Sequence, residues 1–391
     1  MAVSHLVVSQ SFLSRRRLLA GGLALTGAGA LAACSTGTAS RAASASTAGG
    51  ALTIGLTYTP NIQFAPFYMA KKDGTYAANV TLHHHGAQDG LFDALQSGQE
   101  QLVVAGADEA VVATSNGSDL VVVGGYYQSY PACLIVPEDS SINVPADLKS
   151  RTVGTPGRKG ETWYALQLAM STASLTESDL TIQDIGYTQQ AALVGGKVDA
   201  VVGFSNNDAI QIRQAGTPVR TIQVADRIPL VGVSLVTTRS LLDSRRQDLE
   251  TVVKASIKGM TAFVKDPDAA VEATKDHMDD LKVDQTQAKR AREVAVATGK
   301  LVSGDGSHPI GSARVDDVAS MIDFLTSHKL LGDKKTPKAA EVCVPLGSKY
   351  TGVRGAPVAS SFLRRGVRCR ILLAVVVLVV GHAQLAVRDA P

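Results

Sequence analysis

The sequence predicts an α/β protein with two lobes, each a mostly parallel sheet flanked by helices. Short runs of branched apolar residues alternate with helical stretches, and this rhythm restarts after Pro131. The length of 391 residues fits about two domains. A hydrophobic content of 45% excludes disorder for most of the chain, and a net charge of +3 is too weak to indicate a nucleic-acid partner.

The first part of the chain, 51–130, is predicted to begin lobe I. Apolar runs predict strands at 51–58, 80–84, 102–105 and 120–124, with helices at 65–72, 91–97 and 108–115. Pro66 suits the first turn of the first helix, because a first-turn residue has no helical partner for its N–H. Asp108 and Glu109 suit the first turn of the third helix, because acids complement the helix dipole there.

Residues 131–228 are predicted to form lobe II, and residues 229–345 to return to lobe I. The strands of this part are predicted at 133–136, 152–154, 198–203, 219–224 and 230–237. Helical segments are predicted at 145–149, 161–171, 192–197, 208–215, 249–264, 267–277, 286–298 and 315–325. Ligands of such sheets bind beyond the carboxyl ends of the strands, so the cleft between the lobes is the predicted binding site.

The amino-terminal segment has the build of an export signal. Three arginines, Arg15 to Arg17, precede a run of small and apolar residues, which predicts a signal peptide over 1–33. Its end, Leu31-Ala32-Ala33-Cys34, resembles a lipoprotein lipobox, which implies cleavage before Cys34 and a lipid on its thiol. Residues 34–50 predict a flexible tether. We therefore expect an exported protein anchored by lipid on the extracytoplasmic face of the membrane. An ordinary signal peptide is the alternative, and both the twin-arginine and the general export route stay open.

The carboxyl-terminal segment, 346–391, is basic and then apolar. Its apolar run, Ile371–Val380, is short for a membrane span of ~20 residues. A second anchor and a non-native extension are both open interpretations, and the extension is favoured.

Five stretches of the globular part resemble one known family. The first is an opening segment made of Tyr58-Thr59-Pro60-Asn61, Ala65-Pro66-Phe67-Tyr68-Met69-Ala70 and Lys72-Asp73-Gly74-Thr75-Tyr76. The others are Leu91–Gln99, Val144-Pro145-Ala146-Asp147-Leu148, Thr152-Val153-Gly154-Thr155-Pro156-Gly157 and Gly195-Gly196-Lys197-Val198-Asp199-Ala200. In this order they resemble the periplasmic binding proteins for thiamine-precursor pyrimidines, sulfonates and nitrate. The resemblance implies a type II periplasmic-binding-protein fold. It also implies a monomeric receptor that passes a small-molecule ligand to an ABC permease and its ATPase subunit.

Four residues of lobe I are predicted to contact the ligand. Tyr58 and Asn61 follow the first strand and could supply an aromatic wall and an amide that donates and accepts. Asp108 and Glu109 follow the third strand, where Asp108 could accept from a ligand N–H. The alternatives are an ordinary turn at Thr59-Pro60-Asn61 and a helix cap at Asp108.

Four residues of lobe II complete the predicted site. Glu161 and Trp163 begin the helix after a glycine-rich loop, where the only tryptophan could stack on a flat ring. Asn206 and Asn207 follow a strand and could pair with carbonyl and N–H groups of a ring. Core packing of Trp163 and helix capping by Asn207 or Asp208 are the alternatives.

These residues favour a small planar nitrogen heterocycle, either a thiamine-precursor pyrimidine or a flavin-like ring. An alkyl sulfonate or a nitrate-like anion is the alternative, since Arg158 could bind an anion. An enzyme similar to a fungal-type pyrimidine synthase is a weaker one, because the lysine and histidine of that enzyme are absent from 107–111. We therefore predict no enzymatic activity and no cofactor.

Three consecutive histidines, His83-His84-His85, also raise the question of a metal site. Neighbouring residues of a strand point to opposite faces, so three in a row do not easily bind one ion. The sequence therefore predicts a polar strand end and no metal.

Overall fold

The structure is a computed structural model that describes residues 50–86, 90–225 and 227–347. Ten strands are found in this part of the chain: β1 Leu52–Leu56, β2 Val80–His84, β3 Leu102–Gly106, β4 Leu120–Gly125, β5 Ala132–Pro137, β6 Thr152–Thr155, β7 Thr181–Asp184, β8 Ala200–Phe204, β9 Val219–Ile222 and β10 Val233–Thr238. They form two five-stranded sheets with the orders β2-β1-β3-β10-β4 and β7-β6-β8-β5-β9. We call the first sheet with its helices lobe I and the second lobe II.

Each sheet contains one strand that runs against the others. In lobe I, β1 pairs in parallel with β2 and β3, whereas β10 is antiparallel to β3 and β4. In lobe II, β6 pairs in parallel with β7 and β8, whereas β5 is antiparallel to β8 and β9. The two reversed strands, β5 and β10, are those that enter a lobe directly from the other one. The predicted two-lobed α/β fold with mostly parallel sheets is confirmed.

The pairing register of the two reversed strands shows where the cleft between the lobes lies. Val233 at the start of β10 lies opposite Gly106 at the end of β3. Ala132 at the start of β5 lies opposite Phe204 at the end of β8. The crossing segments between the lobes therefore begin and end beside the carboxyl ends of the parallel strands. That is the edge at which ligands of such sheets bind.

Thirteen α-helices lie in the described residues. They are α1 Ala65–Lys72, α2 Asp93–Gln96, α3 Ala107–Ser115, α4 Gly160–Thr172, α5 Gln189–Val194, α6 Asp208–Gln214, α7 Arg239–Ser244, α8 Arg246–Lys265, α9 Pro267–Thr274, α10 Asp280–Val283, α11 Gln285–Ser303, α12 Val315–Ser327 and α13 Ala339–Val342. Helices α1 and α8 cover one face of the lobe I sheet, where Ile54, Leu56, Phe67 and Phe263 are buried in one core cluster. Burial of such side chains contributes most of the stability of each lobe.

Several elements differ from the predicted ones. Strand β7 and helices α7, α10 and α13 were not predicted, and α5 begins and ends three residues before the predicted helix 192–197. Helix α5 ends early because Gly195 and Gly196 follow it, and Gly196 has a φ of +63°, which a continuing helix excludes.

The described chain ends inside lobe I. The backbone N–H groups of Val344 and Leu346 donate to the oxygens of Val122 and Val123 at 2.9 and 2.7 Å. Leu346, the first residue of the predicted tail, is thus a buried part of the lobe. The predicted signal peptide, Cys34 and the tail from residue 348 lie outside the described residues. Within them, every helix is too short or too polar to cross a membrane.

Candidate functional site

Three acidic side chains from both lobes meet in the cleft. Helix α3 of lobe I starts directly after β3 and carries Asp108 and Glu109, while Glu161 lies in the first turn of α4 of lobe II. The hydroxyl oxygen of Tyr130, on the segment that crosses between the lobes, lies 2.7 Å from Asp108 Oδ2 and 2.9 Å from the backbone oxygen of Glu161. A Cβ built on Gly160 would lie 2.8 Å from Glu109 Oε1, so the lobes touch closely here. We call Asp108, Glu109 and Glu161 the acidic cluster.

Burial favours the neutral form of all three acids. It raises the pKa of Asp108 well above its usual range, and the nearby carboxylate of Glu109 raises it further. Burial likewise raises the pKa of Glu161 well above its usual range, and the nearby charges of Asp108 and Glu109 raise it further. Burial raises the pKa of Glu109 from 4.5 to about 7, although the N–H of Gly106 and the charge of Lys159 act in the opposite direction. The cluster can therefore both donate and accept hydrogen bonds.

The Tyr130 hydroxyl joins the two lobes. It is within donating distance of both Asp108 Oδ2 in lobe I and the backbone oxygen of Glu161 in lobe II. One phenol O–H has a single proton, so these two acceptors share it.

One oxygen of the cluster lacks a partner. Glu161 is 7% exposed, and its Oε1 is buried without a hydrogen bond to any other described residue. This oxygen lies 2.8 Å from the Cβ that would be built on Gly232, a residue of the second crossing segment. A buried acceptor without a donor costs about 1–3 kcal/mol. A ligand N–H in the cleft would remove this cost.

Two exposed tyrosines lie near the acidic cluster. Tyr58 follows β1 of lobe I and is 49% exposed, while Tyr187 follows β7 of lobe II and is 81% exposed. Partial burial raises the pKa of Tyr187, and the proximity of Glu109 and Tyr58 raises it further. The two phenol rings thus belong to the same part of the cleft. Sequence reasoning missed Tyr187 because it missed the strand that precedes it.

Asn206 lies in the interior where the lobes meet, rather than on the surface of the cleft. Its side-chain N–H group donates to Thr298 Oγ1 at 2.9 Å and to the Tyr127 hydroxyl at 3.3 Å. Its Oδ1 is buried without a partner among the described residues. Asn206 therefore joins lobe II to α11 and to the crossing segment, and it keeps one acceptor unused.

Asn61 and Asn207 line a second part of the interlobe region. Asn61 Oδ1 accepts from the backbone N–H of Gln63 at 3.0 Å, and Asn207 Oδ1 accepts from Gln211 Nε2 at 2.8 Å. Both residues border a groove of about 290 Å³ whose walls also include Gln190, Gln214 and Arg290. The structure thus brings these two asparagines together, although not with the acidic cluster. Asn207 stands at the cap position of helix α6, but its side chain makes no capping hydrogen bond. Asp208 Oδ2 accepts from the N–H of Phe204 at the end of β8, at 2.6 Å, and so joins the start of α6 to that strand.

Trp163 is buried in the core of lobe II. Its ring is 7% exposed, and the Arg158 guanidinium carbon lies 5.2 Å from the ring centre. Arg158 also forms ion pairs with Glu177 at 2.5 Å and with Asp184 at 3.7 Å. The arrangement is that of core packing covered by a cation–π contact.

Solved structures share this two-lobed architecture. The alkanesulfonate-binding protein SsuA from Xanthomonas axonopodis pv. citri, bound to MOPS, aligns with a TM-score of 0.58 at 17% identity over 76% of this chain and 98% of its own. The desulfurization enzyme DSZB aligns with a TM-score of 0.50 at 16% identity over 76% and 96%. The fold is that of the periplasmic binding proteins, as the sequence resemblance implied, and it also occurs in an enzyme.

The sequence identifies the family more narrowly. The chain belongs to the NMT1/THI5-like family, which it matches over residues 61–270. It is 31% identical over 223 residues to the riboflavin-binding protein RibY of Chloroflexus aurantiacus, covering 56% of this chain and 63% of that protein. It is 22% identical over 282 residues to a formylaminopyrimidine-binding protein of Halalkalibacterium halodurans, covering 71% and 84%. The match thus spans less than two thirds of the first relative's length.

Proposed function

We propose that the protein is the solute-binding component of an ABC importer. In this function the two lobes bind a small planar nitrogen heterocycle, a thiamine-precursor pyrimidine or a flavin-like ring, and deliver it as a monomer to a permease driven by an ATPase subunit. The family supports the proposal, as do a relative named for riboflavin binding and another named for formylaminopyrimidine binding. Export and a lipid on Cys34 would place the receptor beside that permease.

The acidic cluster is the part of the site that favours a nitrogen heterocycle as the ligand. Buried acids that are partly neutral can accept from amino and ring N–H groups and donate to ring nitrogens or carbonyls. The unpartnered Oε1 of Glu161 can accept from a ligand N–H or, in the neutral acid, donate to a ring nitrogen or carbonyl. An alkyl sulfonate has no ring N–H for the acceptor, and its negative charge would be repelled by any ionised acid of the cluster. Arg158, the residue that favoured a sulfonate, is engaged by Glu177 and Asp184. The contacts therefore support a nitrogen heterocycle over an anion.

A role in binding rather than catalysis agrees with the chemistry of the two described cysteines. Burial raises the pKa of the Cys133 and Cys343 thiols to about 12. Both are therefore thiols at neutral pH, whereas the nucleophile is the thiolate.

A calorimetric titration of the purified protein with riboflavin, a formylaminopyrimidine and an alkyl sulfonate tests the ligand. We expect one of the two heterocycles to bind and the sulfonate not to bind. In Glu161→Leu, affinity for the bound heterocycle should fall roughly tenfold or more, since a ligand N–H loses its acceptor. The matched control is Glu250→Leu on the surface of α8, which should bind like the wild type. Sulfonate binding with no response to either heterocycle would refute the proposed ligand class.

Metabolic labelling with palmitate tests the anchor separately. Wild-type protein should incorporate the label and Cys34→Ala should not. Unlabelled, freely secreted wild-type protein would contradict the anchor while leaving the ligand proposal intact.

A further inference from the structure

Two of the three consecutive histidines meet a buried glutamate at the edge of lobe I. His83 Nδ1 lies 2.7 Å from Glu100 Oε1, and His85 Nε2 lies 2.9 Å from the same oxygen. One ligand atom from each of the three residues lies within 4.8 Å of the others. His84 points to the opposite face, where its Nε2 lies 2.8 Å from the Tyr68 hydroxyl oxygen. Three neighbouring histidines thus do not share one ion, whereas His83 and His85, two residues apart, point to the same side and meet at Glu100.

The backbone of lobe I makes room for the glutamate. Glu100 lies in the turn between α2 and β3, its carboxylate is fully buried, and its N–H donates to the oxygen of Ala94 at 3.1 Å. The carboxylate covers Gly55 of β1, which is paired in register with His83. A Cβ on Gly55 would lie 2.1 Å from Glu100 Oε2, so only glycine leaves this space. A buried carboxylate needs a compensating positive charge, which either a protonated histidine or a metal cation can supply.

The donor set matches the chemistry of a transition metal. Two imidazoles and one carboxylate are a ligand set that zinc uses in sites with one open position. Imidazole also suits copper, nickel and iron. Tetrahedral coordination at about 2.0–2.2 Å would place the donor atoms roughly 3.3 Å apart, so each histidine nitrogen would move about half an ångström away from Glu100 Oε1. The His83 side chain is 53% exposed and gives the cation a route from solvent.

We propose that His83, His85 and Glu100 form a binding site for a divalent transition-metal cation, with zinc as the best match and one coordination position left open. The site joins the end of β2 to the turn before β3 across Gly55 of β1. It uses none of the residues of the acidic cluster, so it does not depend on the proposed ligand.

Titration of chelator-treated, untagged protein with zinc sulfate tests the site. In calorimetry we expect the wild type to bind one more equivalent of zinc than His83→Gln. Any zinc that the two remaining ligands of the variant still bind should be bound more than about tenfold more weakly. The comparison with the variant is needed because the thiol of Cys369, and that of Cys34 in protein that carries no lipid, could also bind zinc. His328→Gln, which removes a histidine directly after α12 that is hydrogen-bonded to Ser171, is the matched control and should bind like the wild type.

Two further measurements separate loss of the metal site from loss of the fold. Because His83 is half exposed, His83→Gln should keep the wild-type circular dichroism spectrum and the wild-type melting temperature without zinc. Zinc should raise the melting temperature of the wild type and of His328→Gln but not that of His83→Gln. Cobalt(II) should give the visible absorption of four-coordinate metal in the wild type and lose it in both His83→Gln and Glu100→Gln. Equal zinc binding by the wild type and His83→Gln would overturn the proposal.

Discussion

At the scale of single residues, the acidic cluster is costly to the ligand-free fold. Asp108 and Glu161 are buried, and Glu161 Oε1 has no partner in the described part of the chain. Buried acids with strongly raised pKa values are common at functional sites, where neighbouring groups are arranged for a ligand and not for stability. The cluster therefore predicts that the stability of the protein falls as the pH rises. An ordinary salt-bridged acid has the opposite effect, because its pKa is lowered in the folded state.

The free energy of unfolding should fall as the pH rises from about 4.5 to about 7. The pKa of Glu109 is raised from 4.5 to about 7 in the folded state, and Asp108 and Glu161 shift in the same direction. The folded protein thus binds more protons than the unfolded chain within this range, so raising the pH favours unfolding. The stabilising effect of the raised pKa values is fully present below about pH 4.5. Between that pH and about pH 7, Glu109 alone should lower the free energy of unfolding by about 1–3 kcal/mol.

Urea unfolding at several pH values measures this effect. Glu109→Gln should flatten the profile, because it removes one titrating group and the charge that raises the pKa of Asp108. Glu250→Gln, at an exposed acid of α8, should keep the wild-type slope. Parallel profiles for wild type and Glu109→Gln would contradict the prediction.

At the scale of elements, two glycines of long helices have opposite surroundings. Gly259 of α8 faces α1, where an added Cβ would lie 2.3 Å from the backbone oxygen of Pro66 and 3.0 Å from Ala70 Cβ. Gly299 of α11 meets only the Cα of Val264, at 3.9 Å. The close packing of α1 on α8 thus depends on one missing side chain, whereas α11 has room for a methyl group.

Alanine at these two positions should change the stability in opposite directions. Gly259→Ala should lower the free energy of unfolding by roughly 1–3 kcal/mol, because the helices must separate. Gly299→Ala should raise it by up to about 1 kcal/mol, because alanine is the better helix former and meets no close atom. Chemical denaturation of the two variants checks this. A loss of stability in Gly299→Ala comparable to that in Gly259→Ala would contradict the argument from packing.

Sequence patterns predicted some helices and strands with their observed bounds and missed others. Helix 65–72 and strand 80–84 were predicted with the observed bounds, because Pro66 sets the helix start and a run of alternating residues sets the strand. Strand β7 was missed, since it is an edge strand that pairs only with β6 and exposes Thr181, Gln183 and Asp184. An exposed edge strand needs few apolar residues, so its pattern resembles that of a loop.

At the scale of the whole molecule, Tyr58 and Tyr187 connect the two lobes to the proposed function. They come from opposite lobes and are exposed without ligand, and Tyr187 interacts electrostatically with both Glu109 and Tyr58. Closure of the lobes by hinge motion would bring both rings onto a planar ligand. Their exposure in the ligand-free protein is then a requirement of binding and not of folding.

Removal of either ring should weaken binding without changing the fold. Tyr58→Ala and Tyr187→Ala should each reduce affinity for the heterocycle about two- to tenfold, since an aromatic stack contributes about 0.5–1.5 kcal/mol. Their melting temperatures without ligand should match that of the wild type. Val283→Ala, at another exposed apolar side chain, is the control. Small-angle X-ray scattering should show a smaller radius of gyration with ligand, and wild-type affinity in both tyrosine variants would argue against closure onto the ring.

Local patterns of apolar residues, prolines and glycines were enough to predict the two-lobed α/β class, most of the elements and five ordered family motifs. The same patterns identified Asp108, Glu109 and Glu161 as candidates, since each begins a helix after a strand or a glycine-rich loop. The folded chain was needed to show that these acids meet across the lobes, that Trp163 packs into a core and that His83 and His85 share a buried glutamate. Such contacts join residues far apart in the chain, and no local pattern records which of them fold together.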